Sequence, residues 1–222
     1  MAEEHIVKIL SVGPVTHNVR RFKVEKPAGY TFIPGQATEV AVNKEGWRDQ
    51  AHPFTFTGLN DWDHLEFTIK IYDDHQGVTH QLGQLQAGDE LILHDVWGAI
   101  QYQGEGTFIA GGAGVTPFIA IFRQLNEDGK LGHNQLLFSN KREQDIILKD
   151  EFERLLDGRF INTLTEEATE GYDNRRIDAV YLKEKVGDKD QHFYICGPDA
   201  MVADVQQALK ELGAPGAVVV EL

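Results

Sequence analysis

The feature that most constrains this chain is an uncharged run from Gly106 to Phe122. Its length suggests a membrane span, but three glycines and Pro117 in its middle would cost a spanning helix backbone hydrogen bonds. The run instead predicts a buried strand at Thr107–Ala110, a glycine turn, and a helix with Thr116 as N-cap and Pro117 at its first position. Such a turn directs backbone N–H groups and a helix dipole at one spot that suits a pyrophosphate.

The glycine turn differs from the usual dinucleotide fingerprint. In Gly112–Pro117, proline stands where the third glycine of G-x-G-x-x-G would be. Taken alone, the turn therefore predicts a tight strand-to-helix corner without a ligand as readily as a phosphate site. The rest of the chain has to decide between the two interpretations.

Length and charge narrow the function. The chain has 222 residues, for which we favour two domains, and its formal charge of -14 argues against nucleic acid or an anionic membrane as the main partner. The first residues lack the basic and apolar regions of a secretory signal, so we expect a cytoplasmic protein with no membrane partner. Cys196 is the single cysteine, which excludes an internal disulfide and a four-cysteine iron–sulfur cluster built from this chain. No metal site is predicted, and redox chemistry would need an organic cofactor.

The first half of the chain predicts an antiparallel β-barrel. Short segments of period two are separated by turn residues, and Leu65–Tyr72 is the clearest of them. Gly77–Leu85 has helical spacing and predicts a short helix that caps the barrel. The other predicted strands are His5–Val12, Val19–Glu25, Gln36–Val42, Pro53–Thr57 and Glu90–Val96.

The second half predicts an α/β domain with a parallel sheet, similar to a Rossmann fold, because strand-like and helix-like segments alternate. We place the domains at residues 1–102 and 103–222. The predicted strands are Thr107–Ala110, Gln135–Ser139, Phe160–Thr165, His192–Cys196 and Ala217–Glu221, and the predicted helices are Thr116–Asn126, Asp145–Leu156, Asp178–Lys185 and Pro198–Leu212.

Three motifs occur in the order and spacing of a known family. They are His52-Pro53-Phe54-Thr55, the turn Gly112–Pro117, and Cys196-Gly197-Pro198 with Met201. Tyr30–Gln36 adds an aromatic residue followed by proline, glycine and glutamine. Over essentially its whole length the chain resembles the ferredoxin-NADP reductase family of flavoenzymes. The resemblance implies a flavin-binding barrel followed by an NAD(P)-binding α/β domain.

The resemblance assigns the flavin to the barrel. Phe54 could lie against the flavin ring, and Thr55 could hydrogen-bond its N5 atom. Without the other motifs, Phe54 would be interpreted as ordinary barrel core. His52 replaces the family arginine and gives up a bidentate charged contact, so FMN stays open beside the expected FAD. The remaining residues assigned to this cofactor are Pro53, Ile69, Lys70, Ile71, Gly77, Val78 and Thr79.

The resemblance assigns the nicotinamide nucleotide to the second domain. Its pyrophosphate would lie on Gly112, Ala113, Gly114, Val115, Thr116 and Pro117. Cys196, Gly197, Pro198 and Met201 would lie beside the nicotinamide, where a small residue lets the two rings stack, although an isolated cysteine is more often structural. Ser139, Asn140 and Lys141 follow the second parallel strand, where specificity is set. Lys141 and Arg142 favour NADPH there, and NADH stays open.

Glu221 completes the predicted catalytic set of Thr55, Cys196 and Glu221. Similar reductases carry a glutamate near the nicotinamide, followed by further residues. Because this sequence ends at Leu222, we expect the terminal aromatic residue that shields the flavin to be absent. Glu221 would stabilise the positive charge that develops on the nicotinamide, or it is simply an exposed acid.

The resemblance implies an oxidoreductase that passes hydride from NAD(P)H to a flavin and electrons on to an acceptor. Candidate acceptors are a ferredoxin, a flavodoxin, an oxygenase component or a small oxidant. An alternative is a nucleotide-sensing or regulatory module that keeps the fold but has lost the flavin, as the replacement at His52 would allow.

Overall fold

The computed structural model describes residues 4–74, 76–98, 100–214 and 218–219. These residues form two compact units. Unit 1 contains the chain up to Gln101 together with Thr116–Gln124, and unit 2 contains Tyr102–Val115 and the residues from Leu125 onward. No helix within the described ranges is long and apolar enough to cross a bilayer.

Unit 1 is the predicted six-stranded antiparallel barrel. Its strands follow the order β4-β3-β6-β1-β2-β5. A bridge between Phe56 and Phe67 joins the two outer strands of this order, so the sheet closes on itself. The elements are β1 (His5–Thr16), β2 (Val19–Glu25), β3 (Ala37–Val42), β4 (His52–Thr55), β5 (His64–Lys70), α1 (Val78–Gly83) and β6 (Glu90–Trp97).

Strand β1 is longer than the sequence predicts. Its first residues pair with β6, and from Ile9 onward it pairs with β2 as far as Thr16. The predicted strand ends at Val12, whereas the observed strand continues through Gly13 and Pro14, with a register shift between Pro14 and Thr16. A local irregularity of this kind lets a strand accommodate a proline that cannot donate a ladder hydrogen bond.

A buried carboxylate joins the barrel to the helical segment of unit 1. Glu66 on β5 has only 2% of its side chain exposed, and its Oε1 accepts a 2.7 Å hydrogen bond from Arg123 Nη1. Arg123 Nη1 also donates to the carbonyl oxygen of Thr57 at 2.7 Å, and Arg21 Nε lies 3.7 Å from Glu66 Oε2. The Arg123 guanidinium lies 5.5 Å from the centre of the Trp62 ring. The polar face of β5 is therefore an internal face.

We expect Glu66→Gln to lower the free energy of unfolding of unit 1 by about 3 kcal/mol, because breaking a buried ion pair leaves the arginine charge uncompensated. All three tryptophans, Trp47, Trp62 and Trp97, lie in unit 1, so tryptophan fluorescence in a urea titration follows this unit. Glu39→Gln, at an exposed position of β3, is the matched control. Equal urea midpoints for the two variants would contradict the role of Glu66.

Unit 2 contains the predicted parallel sheet, with strand order β11-β10-β7-β8-β9. Helices connect the strands, as the alternation of the sequence predicts, and the apolar faces of α4 and α5 pack together with β10 in one core. The elements are β7 (Gly106–Gly111), β8 (Gln135–Asn140), α3 (Lys149–Leu156), β9 (Phe160–Leu164), α4 (Ala179–Lys185), β10 (His192–Cys196), α5 (Asp199–Glu211) and β11 (Val218–Val219). Between β7 and β8 runs α2 (Thr116–Glu127), of which Thr116–Gln124 belongs to unit 1.

The predicted helix Asp145–Leu156 is wrong at its start. Glu143–Asp145 forms a 3-10 turn, and α3 begins only at Lys149. Ile146 and Ile147 between them are 5% and 1% exposed, and Leu148 has a left-handed φ of 52°. Burial of two consecutive isoleucines therefore outweighs the helical period at this point.

The predicted start of one helix also needs correction, and one predicted strand lies partly outside the described ranges. Thr116 is not an extended N-cap, because the glycine turn is itself a 3-10 helix and α2 begins at Thr116. Of the predicted strand Ala217–Glu221, the structure describes Val218–Val219, which pair in parallel with β10. Glu221 lies outside the described residues.

Candidate functional site

The three predicted nucleotide segments begin at the same edge of the parallel sheet. Ala110 of β7 is in register with Cys196 of β10, and Gly111 is in register with Ser139 of β8. Three adjacent strands therefore end side by side, and they are followed by the Cys196-Gly197-Pro198 segment, the glycine turn and Ser139–Lys141. In open α/β sheets, ligands bind outside the carboxyl ends of the strands.

The glycines of the turn are required by close packing within unit 2. A Cβ atom on Gly111 would lie 2.4 Å from Met201 Sδ and 2.9 Å from Pro198 Cδ. A Cβ atom on Gly114 would lie 2.4 Å from the carbonyl oxygen of Cys196. Gly112 differs, since its φ is 52° and no described heavy atom lies within 4 Å of its Cβ position outside its chain neighbours. Gly112 thus leaves open space beside the turn, which a phosphate could approach.

We expect Gly114→Ala to lower the free energy of unfolding of unit 2 by about 1–3 kcal/mol, because an added methyl group meets backbone that cannot rotate away. Gly158→Ala is the matched control in the same unit, with no atom within 4 Å of its Cβ position and no left-handed φ. Far-ultraviolet circular dichroism during urea unfolding measures both variants. If Gly114→Ala unfolded no earlier than Gly158→Ala, the packing account would fail.

Cys196 is a buried thiol without the surroundings of a nucleophile. Cys196 is 3% exposed, and burial raises the pKa of its thiol from 9.0 to about 12. The sulfur is therefore protonated at neutral pH, where only a thiolate attacks efficiently. This favours a packing role at the end of β10 over covalent chemistry.

We expect iodoacetamide at pH 8 to alkylate Cys196 at least about 100-fold more slowly in the native protein than in the urea-unfolded protein. The rise of the pKa to about 12 lowers the thiolate fraction about 1000-fold, and burial blocks the reagent as well. Mass spectrometry counts the adducts over time, and glutathione in the same buffers corrects for the effect of urea on the reagent. Equal native and unfolded rates would contradict the inert thiol.

The end of β8 contains an isolated amide and an ion pair. Asn140 is 5% exposed, and neither its Oδ1 nor its Nδ2 has a hydrogen-bond partner among the described residues. Lys141 Nζ lies 3.0 Å from Glu166 Oε1, and the backbone N–H of Glu166 donates to the carbonyl oxygen of Lys141 at 2.9 Å. Sequence reasoning missed Glu166 because it follows β9, and no local pattern connects it with the end of β8.

Three side chains of strand β4 differ in burial and in chemical type. His52 is exposed, Phe54 is half-buried and packs on the barrel core, and Thr55 is 4% exposed. The Thr55 hydroxyl donates to Thr116 Oγ1 at 3.0 Å, a contact within unit 1. The alternation of the strand predicts Thr55 on the face away from the core residue Phe56, and that face too is buried because Thr116 lies against it.

The other residues predicted to contact flavin divide by burial. Ile69, Ile71 and Val78 are 2%, 8% and 2% exposed and belong to the barrel core, so their backbone is what a ligand could contact. Lys70 lies 5.4 Å from the centre of the Tyr72 ring. Gly77 is extended and precedes α1, which has only six residues.

Two surface pockets lie away from these segments. A pocket of about 530 Å³ lies beside β9, and another of about 540 Å³ lies beside the β1–β2 hairpin. In the first, Lys149 pairs with Glu143 at 2.7 Å and Lys185 with Asp173 at 2.9 Å. Its cations are thus already neutralised, and the convergent polar groups at the strand ends are the stronger indication of a site.

The residues at these segments fit the cofactors that the resemblance implies. The open Gly112 position suits a phosphate, and the unpartnered Asn140 amide can donate and accept hydrogen bonds to ribose hydroxyls. On β4, an aromatic side chain and a hydroxyl match the apolar ring and the polar N5 edge of a flavin, while a ring N–H of His52 can donate a hydrogen bond to its tail.

Comparison with known proteins gives the same assignment. Residues 108–207 match the oxidoreductase NAD-binding domain family. The match covers 100 of the 222 residues. The whole chain has the fold of a ferredoxin NADP+ reductase from Neisseria gonorrhoeae solved with bound FAD and NADP, at a TM-score of 0.84 and 23% identity, covering 96% of this chain and 93% of that one. The resemblance to ferredoxin-NADP reductases is confirmed.

Two curated relatives align with most of the chain. The reductase component of propane 2-monooxygenase from Rhodococcus jostii is 25% identical over 94% of this chain, which spans 60% of that relative. NADH-cytochrome b5 reductase 1 from Aspergillus terreus is 28% identical over 90% of this chain, which spans 74% of that relative. The chain thus matches only part of the length of each relative.

Proposed function

We propose that the chain is a flavin-dependent NAD(P)H oxidoreductase that passes electrons to a separate acceptor. The observation that carries the proposal is the convergence of the glycine turn, the end of β8 and the Cys196 segment at one edge of a sheet whose residues 108–207 match an oxidoreductase NAD-binding family. The NAD(P)-binding domain is residues 103–222, and the flavin-binding domain is residues 1–102.

The nucleotide is held by unit 2. Gly112 admits its pyrophosphate to the turn, where the backbone N–H groups of Gly112–Val115 favour negative charge. Asn140 and Ser139 receive the ribose hydroxyls. Cys196 and Met201 supply soft, uncharged surface to the nicotinamide, and the raised pKa of the Cys196 thiol keeps the sulfur from reacting. Glu221 stays a prediction for the charge on the nicotinamide.

The flavin is held by unit 1. A bound flavin would accept hydride from the nicotinamide and release electrons to the acceptor. Phe54 provides an apolar surface for its ring, and Thr55 with Thr116 provides hydroxyls for its polar edge. FAD is the proposed form, since the ferredoxin NADP+ reductase of the same fold was solved with FAD.

The acceptor is proposed to be a protein. The aligned relatives are named for cytochrome b5 and for a monooxygenase, and both names describe reductases that serve a second component. A ferredoxin, a flavodoxin or a small oxidant stay alternatives, and a cytoplasmic location stays a prediction from the sequence. The histidine at position 52, in place of the family arginine, favours one other class of function, a nucleotide-sensing or regulatory module of this fold without flavin.

We expect the purified protein, incubated with FAD and desalted, to be yellow and to lose its visible flavin absorbance when NADH or NADPH is added without oxygen. Ferricyanide should restore the absorbance in the same cuvette, which shows that the electrons can leave. FMN in a parallel incubation tests the choice of flavin. A colourless protein that retains neither flavin but still binds NADH in a fluorescence titration would replace the reductase by the sensing module.

A further inference from the structure

We infer that Glu166 makes the nucleotide site selective for NADH over NADPH. The inference rests on the proposed function and deepens it, because it names the coenzyme. It departs from the preference for NADPH expected from Lys141 and Arg142 in the sequence. The difference arises from side chains that the fold brings to the end of β8 and that lie far from it in the chain.

Glu166 is held at the end of β8 by the backbone and by a side-chain pair. Its N–H donates to the carbonyl oxygen of Lys141 at 2.9 Å, and the preceding residue, Thr165, donates through its N–H to the carbonyl oxygen of Asn140, also at 2.9 Å. These two bonds align the segment after β9 with the segment after β8. The Glu166 carboxylate then lies 3.0 Å from Lys141 Nζ.

The charge that Lys141 offers is therefore already matched. A 2′-phosphate carries a charge of about −1.5 to −2 and needs a cation free to receive it. At this site it would have to displace Glu166 from Lys141 and would then lie beside a repelling carboxylate. The adenosine ribose of NADH has a neutral 2′-hydroxyl instead, which can donate to a carboxylate.

Of the neighbouring cations, Lys149 is paired in the same way, whereas Arg142 is exposed and has no ion pair with another described residue. Lys149 Nζ lies 2.7 Å from Glu143 Oε1, so the charge of Lys149 is also matched. The Tyr172 hydroxyl donates to the same oxygen at 2.8 Å. The backbone N–H of Glu143 donates to Glu167 Oε2 at 2.7 Å, which brings a second acid from the segment after β9. Asn140, which precedes Lys141 in the chain, has a buried amide with no partner among the described residues, and an amide suits hydroxyls without adding charge.

The test compares Glu166→Gln with Glu184→Gln. Glu184 pairs with Arg175 elsewhere in unit 2, and its side chain is 50% exposed, against 48% for Glu166. Two readouts are taken on the FAD-loaded protein: kcat/KM for NADH and NADPH with ferricyanide as oxidant, and calorimetric Kd values for NAD+ and NADP+, which need no turnover. Low ionic strength keeps the exposed charges from being screened.

We expect the unaltered protein to favour NADH by about tenfold or more in kcat/KM, and Glu166→Gln to raise kcat/KM for NADPH about 3- to 10-fold through KM, as freeing one partly exposed cation allows. The NADP+ Kd should fall by a similar factor. Glu184→Gln should leave unchanged both the ratio of kcat/KM for NADH to that for NADPH and the ratio of the Kd values for NAD+ and NADP+. In the double variant Lys141→Ala/Glu166→Gln the gain should disappear, because it depends on the freed lysine.

Two results would overturn the inference without contradicting the proposed reductase function. One is a preference of the unaltered protein for NADPH, and the other is a ratio of kcat/KM for NADH to that for NADPH that is equal in Glu166→Gln and Glu184→Gln. Absence of flavin reduction by both nucleotides would instead remove the proposed function. In that case the Kd values for NAD+ and NADP+ still decide the role of Glu166.

Discussion

The close approach of two backbone segments in unit 2 is the constraint on which the candidate site depends. The carbonyl oxygen of Cys196 lies where a methyl group on residue 114 would have to be, and Met201 and Pro198 occupy the corresponding space beside Gly111. Two of the glycines are therefore there for packing, and they bring the phosphate turn against the segment assigned to the nicotinamide. Of the three glycines, Gly112 has no described heavy atom within 4 Å of its Cβ position outside its chain neighbours, so the predicted phosphate site would follow from a conformation that the packing imposes.

A second constraint acts in unit 1, and it comes from a buried charged side chain. Glu66 is accessible on neither face of the barrel and is paired with Arg123 and with the Thr57 hydroxyl, which lies 3.1 Å from Oε1. A buried pair of this kind contributes little net stability compared with apolar packing, but it specifies one arrangement, because any other leaves a charge unpaired. It therefore fixes which face of residues 116–124 lies on β5.

The sequence predicts the elements well where local periodicity reports burial on one side. Val19–Glu25 and His192–Cys196 agree with the predicted bounds, and Leu65–Tyr72 differs only at its ends. Alternation could not show that the polar face of β5 is buried as well, since Glu66 has the spacing of a solvent-facing residue. Glu166 and Lys141 meet only through the pairing of β8 with β9, which is a long-range property of the sheet. Local patterns therefore predict the strands, whereas the partners of the charged side chains require the tertiary structure.

The hydroxyl pair on β4 and α2 changes which residue can serve the flavin as donor. A threonine has one hydroxyl proton, and that of Thr55 is already donated to Thr116 Oγ1. Thr116 accepts this bond and keeps its own proton, so in this arrangement the donor for an acceptor atom such as N5 is Thr116. Thr55 could donate to N5 only if the pair reversed, with Thr116 donating to Thr55 instead. The role predicted for Thr55 would thus be shared between a barrel residue and Thr116, the first residue of α2.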